Sequence, residues 1–142
     1  MIRLAPALAR RIRDAALAAY PRECCGLLIG RREGEALVVD AVAESENLSG
    51  RPHDSFEIDM RLRLRLQKEL RGTGREVVGH YHSHPDAPAE PSRRDIEQAW
   101  EQDMVWLIQG IDHGTPGRLN AFRPDPAGKA FRQVDLLVEI SG

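Results

Sequence analysis

Cysteine is scarce in this sequence, and the only two cysteines, Cys24 and Cys25, are neighbours. Adjacent side chains on an extended segment point to opposite faces, so a disulfide between them would be strained. This excludes a secreted fold that is held together by disulfides. We expect one of the two thiols to face the core in its reduced form.

Long apolar runs and a large excess of one charge are also missing. No stretch approaches the roughly 20 apolar residues that cross a bilayer, and arginines at positions 10, 11 and 13 interrupt the N-terminal segment before a signal-peptide core can form. The net charge of −2 gives no general attraction to nucleic acid or to an anionic membrane. We therefore expect a cytoplasmic protein that binds neither nucleic acid nor membrane.

The chain does contain the material for one packed domain over residues 1–142, because 42% of its residues are hydrophobic and 30% are charged. Helical spacing of apolar residues predicts helices over residues 6–20 and 92–103, and the polar stretch 44–55 predicts a loop. Aliphatic runs predict strands over residues 25–30, 36–39, 76–82, 104–110, 119–123 and 131–140. This order predicts an α/β fold, a single-domain, mixed, largely β sheet flanked by helices.

Residues 59–71 carry two conflicting patterns. Leucines alternate with arginines between positions 61 and 66, which is typical of a strand. However, leucines at 62, 66 and 70 also share one helical face, Asp59 can cap a helix, and Gly72 can end it. We favour the helix. We expect its three arginines, Arg61, Arg63 and Arg65, to form a solvated face without a specific role. The alternative is that they steer an acidic partner protein.

Three of the five histidines, His80, His82 and His84, fall within five residues. On a strand these side chains share a face, and two imidazoles at this spacing can converge on one ion. Neutral imidazole is a good ligand for Zn²⁺, and catalytic zinc usually takes three protein ligands and keeps one position for water. Asp95, at the start of the predicted helix, is the candidate third ligand, and His80 is assigned to the surrounding pocket.

Two further residues are candidates for the chemistry of hydrolysis. Two neutral histidines and one carboxylate leave a net charge of about +1 on Zn²⁺, which lowers the pKa of bound water toward ~7. Glu23, just before an apolar strand, is the candidate base. Ser92, three residues before Asp95, is the candidate donor to the oxyanion. Ser-x-x-Asp before a helix also fits a capping box, so Ser92 has a structural alternative.

Together these residues form the pattern Glu … His-x-His-x7-Ser-x-x-Asp, which resembles the JAMM (MPN+, JAB domain) zinc metalloprotease family in its small prokaryotic branch. The stretches PRECCGLLIG and GHYHSHP fit the same family. The resemblance implies an MPN/JAB fold, a cytidine-deaminase-like sandwich. It also implies that His82, His84 and Asp95 bind Zn²⁺, that Glu23 is the acid/base, and that Ser92 supports the oxyanion. The role of Glu23 depends on this resemblance and cannot be read from spacing.

The resemblance further implies a zinc-dependent isopeptidase or peptidase that cleaves amide bonds after the C-terminal Gly-Gly of a ubiquitin-like protein. The chain has little room for the insertions with which eukaryotic relatives grip ubiquitin. The implied partner is therefore a ubiquitin-like sulfur-carrier protein, or its adduct with cysteine or lysine. The sequence does not name the substrate, and it leaves the oligomeric state open, with a homodimer as one option.

Three other interpretations compete with this one. The chain could be a catalytically silent scaffold of the MPN type that binds partner proteins, although such relatives typically lack part of the ligand set. It could be a cupin-like metal oxygenase, which would need a distant histidine such as His113. Cys25 could be a nucleophile, but cysteine in an apolar strand is usually a small buried hydrophobe. The isolated histidines, His53 and His113, are expected at the surface.

Overall fold

The computed structural model describes residues 1–98, 103–125 and 130–138. Within these ranges there are three helices, α1 (Pro6–Ala19), α2 (Met60–Leu70) and α3 (Arg93–Gln98). The described strands are β1 (Ile2–Leu4), β2 (Cys25–Glu33), β3 (Ala36–Ser45), β4 (Glu76–Pro85), β5 (Val105–Asp112), β6 (Thr115–Pro124), β7 (Phe131–Val134) and β8 (Leu136–Val138).

All of these strands belong to one mixed sheet in the order β7-β6-β5-β4-β2-β3-β1-β8. The pairs β4–β5, β1–β3 and β1–β8 are parallel, and the other pairs are antiparallel. β7 and β8 follow each other in the chain with only Asp135 between them, yet they lie at opposite edges of the sheet. The sheet therefore curls until its two edges approach each other.

The helices cover both faces of this sheet. α1 begins with Pro6 at its first turn and packs its buried stripe, which includes Ile12, on the face that carries Leu28. α2 packs on the opposite face, where Leu66 contacts the cluster around Leu27. Burying each such aliphatic side chain stabilises the fold by about 1.5–3 kcal/mol. The predicted largely β domain flanked by helices is confirmed.

The helix at residues 59–71 is also confirmed. The Asp59 side chain accepts a hydrogen bond from the Arg61 N–H at 2.9 Å and caps α2. Gly72 follows the helix with a φ of 80°, in the left-handed region that glycine tolerates. The side chains of Arg61 and Arg65 are exposed as expected. Arg63 is half-buried, so the solvated face does not extend to it.

The structure corrects the predicted tail. The single strand expected over residues 131–140 is two short strands, because the chain leaves one edge of the curled sheet at Asp135 and joins the other edge. Residues 139 and 140 lie outside the described residues. β1 was not predicted, since three residues are too few to show a period.

Other boundaries also differ from the prediction. β3 runs to Ser45, so the polar loop begins two residues later than expected, and β4 continues past residue 82 to Pro85. The helix expected over residues 92–103 is described as far as Gln98; residues 99–102 lie outside the description, and Asp103 is in a turn. In the part of the chain that the structure describes, no helix combines the length and the apolar character needed to cross a membrane.

The expectation that one cysteine faces the core was too narrow, because both thiols are buried and free. Cys24 packs with the cluster under α1, and Cys25 packs with the aromatic cluster on the opposite face. Both faces of the sheet are covered at the start of β2, so neighbouring side chains that point in opposite directions are both removed from water.

Candidate metal and active site

His82 and His84 extend from β4 on the face opposite α1, and strand alternation puts both imidazoles on that side. Nε2 of His82 lies 3.0 Å from Nε2 of His84. β4 can approach β5 closely because Gly79 has no side chain, and a Cβ at that position would overlap the Val105 carbonyl group. His82 is 0% and His84 is 6% exposed, so both rings are removed from bulk water.

Asp95 reaches the histidine pair from the first turn of α3. The Ser92 N–H donates to Oδ2 of Asp95 at 2.9 Å, and the Asp95 N–H donates to the Ser92 hydroxyl at 3.1 Å. This reciprocal pair is a capping arrangement, and it fixes the direction of the carboxylate. Oδ2 lies 3.3 Å from Nε2 of His82 and 3.0 Å from Nε2 of His84. The structure thus brings together the three predicted ligands.

The positions of these three atoms fit one metal ion. Nitrogen and oxygen ligands at ~2.0–2.2 Å around a tetrahedral Zn²⁺ lie about 3.3 Å from one another. The ring nitrogens and the carboxylate oxygen of His82, His84 and Asp95 are separated by 3.0 to 3.3 Å. The donor set, two imidazoles and one carboxylate, is also one that Zn²⁺ accepts in catalytic sites.

Hydrogen bonding at His84 also indicates that a cation lies between His84 and Asp95. Nδ1 of His84 lies 2.8 Å from the Pro88 carbonyl oxygen. Because a carbonyl oxygen only accepts, this nitrogen carries the ring proton. In neutral His84 the lone pair of Nε2 therefore faces Oδ2 of Asp95, a second acceptor 3.0 Å away. Two acceptors at this distance need a cation between them, either a proton or a metal ion.

The electrostatics of the protein alone show how strongly the carboxylate attracts positive charge. Burial disfavours the charged form of His84, but Asp95, the Pro88 carbonyl and Glu23 together outweigh burial and raise the pKa of His84. For His82, burial dominates and lowers the pKa. Burial opposes ionisation of Asp95 too, yet hydrogen bonds from both imidazoles hold its pKa far below the usual value. The cluster therefore presents an ionised carboxylate to whichever cation occupies it.

Aromatic side chains set the orientation of His82. Phe56 stacks on its imidazole with ring centroids 4.2 Å apart and an interplanar angle of 17°. Trp106 meets the same imidazole edge-on, and it also packs against His80 with centroids 4.2 Å apart. Nδ1 of His82 is buried and has no hydrogen-bond partner among the described residues. Stacking therefore fixes the orientation of the His82 ring, whereas a hydrogen bond from Nδ1 fixes the orientation of the His84 ring.

An open pocket of about 350 Å³ lies against Phe56 and Trp106, the two aromatic side chains that pack on His82. His80 lines it, as expected for a residue on the same face of β4, together with Phe56, Ile58 and Trp106. Burial lowers the pKa of His80 to about 3, so its imidazole is neutral. The pocket thus gives a substrate chain a mostly apolar surface next to the cluster.

Glu23 lies two residues before β2, and its carboxylate comes within 4.8 Å of a ring nitrogen of both His82 and His84. The side chain is buried, with 5% of the residue exposed. Burial raises the pKa of Glu23 to about 8, against the attraction of His84. A carboxyl group whose pKa lies near neutrality can both accept and release a proton, which is the property that acid/base catalysis requires.

The alternative interpretations find less support in these contacts. His113, which a cupin-like site would need, has an 85% exposed side chain and pairs with Asp86 and Asp112. His53 is also exposed, as expected. Burial raises the pKa of the Cys25 thiol to about 12, so it is not a thiolate near neutral pH. None of these three residues belongs to the cluster.

Sequence reasoning missed the side chains that hold the site together. The sequence pattern does not single out Phe56, and Ser83 enters it only as the unspecified residue between His82 and His84. Asn47 was assigned to a polar loop, although its amide bonds to the Glu23 carbonyl at 3.0 Å. A half-buried asparagine in a loop is a weak signal in one sequence, because its partners are distant in the chain.

The fold agrees with the comparison to known families. Residues 5–124 match the family model described as prokaryotic homologs of the JAB domain. This match spans most of the chain, so the chain belongs to that family, and the resemblance to the JAMM (MPN+) proteins is confirmed.

Similar proteins are found in several other organisms. Desampylase from Haloferax volcanii is 32% identical over 127 residues, which cover 89% of this chain and 86% of that protein. A probable TtuB-protein conjugate cleaving protease from Thermus thermophilus is 35% identical over 97 residues, or 68% of this chain and 59% of that protein. A protein from Desulfitobacterium hafniense, solved in solution, superimposes with a TM-score of 0.85 at 30% identity, covering 98% of this chain and 93% of that one.

Proposed function

We propose that the protein is a zinc-dependent isopeptidase or peptidase that cleaves the amide bond after the C-terminal Gly-Gly of a ubiquitin-like or sulfur-carrier protein. Family membership and the two named relatives make it a hydrolase of the JAMM type that acts on conjugates of ubiquitin-like proteins. The observation that carries the finer proposal is the convergence of His82, His84 and Asp95 beside the buried carboxyl group of Glu23.

Nε2 of His82, Nε2 of His84 and Oδ2 of Asp95 would hold the metal. When bound there, Zn²⁺ acts as a Lewis acid and lowers the pKa of a coordinated water toward ~7. Two contacts keep the Nε2 atoms of both histidines directed at one point. Nδ1 of His84 donates a hydrogen bond to the Pro88 carbonyl, and Phe56 stacks on His82. This preorganisation means that little rearrangement is needed when the ion enters.

Glu23 moves the proton in this proposal. Its carboxylate accepts a proton from the attacking water and returns it to the nitrogen of the departing amine. The buried position of Glu23 supports this role, because removal from water brings the pKa of a carboxyl group closer to that of the groups with which it exchanges protons.

Ser92 stabilises the substrate carbonyl oxygen as negative charge develops on it. Its hydroxyl accepts a hydrogen bond from the Asp95 N–H, which leaves the hydroxyl hydrogen available as a donor. Ser92 is exposed, so a substrate can reach it. The capping role and the oxyanion role are therefore compatible in one side chain.

The substrate chain approaches along the pocket beside His80. Phe56 and Trp106 line it, and glycines next to the scissile bond would let the substrate main chain approach the metal without a side-chain clash. The leaving group in this proposal is the amine of cysteine or lysine. We also propose a cytoplasmic location, since free thiols at Cys24 and Cys25 suit a reducing compartment.

The test uses the purified, zinc-loaded protein and a ubiquitin-like sulfur carrier that extends beyond Gly-Gly through an amide bond. Two substrates, a linear extension and a lysine isopeptide, are incubated with the protein and weighed by mass spectrometry. The expected product ends at Gly-Gly. Glu23→Gln should keep its zinc and lose turnover by about 10²–10⁴-fold, whereas the control Glu35→Gln, exposed in the turn between β2 and β3, should retain activity.

A wild-type protein that holds zinc but leaves every carrier conjugate intact would contradict the proposal and favour the scaffold interpretation. Full turnover by Glu23→Gln would remove Glu23 from the mechanism while leaving the substrate class standing.

A further inference from the structure

The main chain at Glu23 and Cys24 is held from both sides. The Glu23 N–H donates to the Pro52 carbonyl at 2.7 Å, and the Glu23 carbonyl accepts from the Asn47 side chain at 3.0 Å. The Cys24 N–H donates to the Ser83 hydroxyl at 2.8 Å, and the Cys24 carbonyl accepts from the Ser83 N–H at 3.2 Å. Four hydrogen bonds therefore fix the main chain of two consecutive residues just before β2 begins.

Ser83 makes its contact where the ladder between β2 and β4 ends. The last paired residues are Cys25 and His82, so Cys24 would next face Ser83. In an antiparallel hydrogen-bonded pair the two residues exchange two main-chain bonds. Here the Cys24 N–H donates to the Ser83 side chain. The hydroxyl takes the place of a main-chain carbonyl and ties the chain that leads to Glu23 to the strand that carries both histidines.

Asn47 makes the matching contact from the loop that follows β3. Its amide group donates to the carbonyls of Glu23 and Ser55 at 3.0 and 3.1 Å, and its oxygen accepts from the N–H groups of Ser49 and Glu57, each at 3.0 Å. Both donors and the acceptor of this side chain are used inside the protein. Asn47 therefore locks the loop against the segment that contains Glu23.

The Glu23 carboxylate has no comparable support of its own. Its Oε1 atom is buried without a hydrogen-bond partner among the described residues. The carboxylate nevertheless lies within 4.8 Å of ring nitrogens of His82 and His84. Its position relative to these rings therefore depends on the main chain from which it extends.

We propose that Ser83 and Asn47 are positioning residues, which hold the main chain at Glu23 and Cys24 so that the Glu23 carboxylate stays beside His82 and His84. This inference builds on the proposed function, since it assigns these residues to the same reaction. Ser83 is fully buried, and its side chain lies on the opposite face of β4 from the imidazoles, so it contacts neither substrate nor metal. It acts only through the segment it holds.

The first test needs no catalysis. Amide hydrogen exchange of the isotope-labelled protein reports the Cys24 N–H directly, and losing one hydrogen bond is worth about 2- to 10-fold in local opening. Ser83→Ala should speed Cys24 exchange by that factor while amides of β5 stay unchanged. Ser83→Thr, which keeps the hydroxyl, should restore protection. Ser55→Ala, which removes a buried hydroxyl that does not contact Glu23 or Cys24, is the matched control.

The second test asks whether Ser83 acts through the Glu23 carboxylate. Single-turnover cleavage is measured for the wild type, Ser83→Ala, Glu23→Gln and the double variant, with zinc content determined for each. Ser83→Ala should retain one zinc per chain and a half-saturating enzyme concentration within about twofold, and should lose about 10- to 100-fold in the single-turnover rate constant, because small misplacements of a catalytic group are costly. In the Glu23→Gln background the same change should have little further effect.

An equal loss in both backgrounds, or zinc loss in Ser83→Ala, would overturn the proposal, because the serine would then support the fold or the metal and not the carboxylate. Unchanged Cys24 exchange in Ser83→Ala would overturn it as well. Asn47→Ala tests the hydrogen bond to the Glu23 carbonyl by the same comparison of single and double variants. Its effect on the cleavage rate should also disappear in the Glu23→Gln background. If the wild type cleaves no conjugate, the proposed function fails, but the exchange measurement still decides whether the contact holds the segment.

Discussion

The ring of Phe56 stacks on the imidazole of His82 with centroids 4.2 Å apart, although the two residues come from a loop and from β4. His82 is the one proposed ligand whose second nitrogen has no hydrogen-bond partner within the described residues. Metal-binding histidines are normally oriented by such a bond. Stacking therefore replaces it, and the orientation of His82 depends on an aromatic neighbour.

Phe56→Ala should weaken zinc binding by about 2- to 10-fold, since an aromatic pair contributes about 0.5–1.5 kcal/mol beyond the area it buries. Zinc affinity is measured by letting the purified protein compete with a chromogenic chelator for Zn²⁺. Phe131→Ala is the control, because Phe131 packs on Trp106, with centroids 4.7 Å apart, within the same aromatic cluster. Equal zinc affinity in Phe56→Ala and the wild type would contradict the role of the stack.

The raised pKa of Glu23 makes the stability of the metal-free protein depend on pH. Burial raises this pKa from 4.5 to about 8, so between these values the folded state binds a proton that the unfolded state has released. The free energy of unfolding should therefore fall as pH rises from about 5 to 8, by at most about 1.4 kcal/mol per pH unit.

Glu23→Gln removes this titration, so its stability relative to the wild type should increase steadily with pH across the same range. Denaturant unfolding of both proteins, stripped of metal with a chelator, at four pH values checks the trend. The difference between the two proteins reports the loss of the Glu23 carboxyl group together with its electrostatic coupling to His84. A difference that stays constant between pH 5 and 8 would contradict the assigned pKa.

Both thiols should be unreactive in the folded protein. Burial raises the pKa of Cys24 to about 11 and that of Cys25 to about 12, so little thiolate is present at pH 8. Iodoacetamide at that pH should add no mass to the native protein and two groups to the protein in denaturant. Rapid modification of native Cys25, together with loss of turnover in Cys25→Ala, would revive the cysteine nucleophile.

The sequence predicted those parts of the molecule that depend on local pattern. The α2 helix could be chosen over a strand because Asp59 and the leucine stripe agree at several positions. The proposed ligands could be found because His82, His84 and Asp95 keep a fixed spacing across one loop. The short loop between β4 and α3 keeps these three residues near one another in the chain, while the orientation of His82 still depends on Phe56.

The remaining features depend on contacts between distant segments. β7 and β8 lie at opposite edges of the sheet only because the sheet curls, and no sequence pattern in residues 131–138 predicts this curl. Asn47 and Ser83 reach residues 23 and 24 across 24 and 59 positions of the chain, respectively. A polar residue in a loop or strand looks the same in a sequence whether it faces water or holds a catalytic segment.

Anomalous diffraction from a crystal of the zinc-loaded protein, collected on both sides of the zinc absorption edge, tests the central claim most directly. We expect one strong peak at about 2.0–2.2 Å from Nε2 of His82, Nε2 of His84 and Oδ2 of Asp95. We also expect the peak to vanish in Asp95→Asn but persist in Glu97→Gln, an exposed neighbour on α3. A peak elsewhere, or one that does not involve Asp95, would contradict the account.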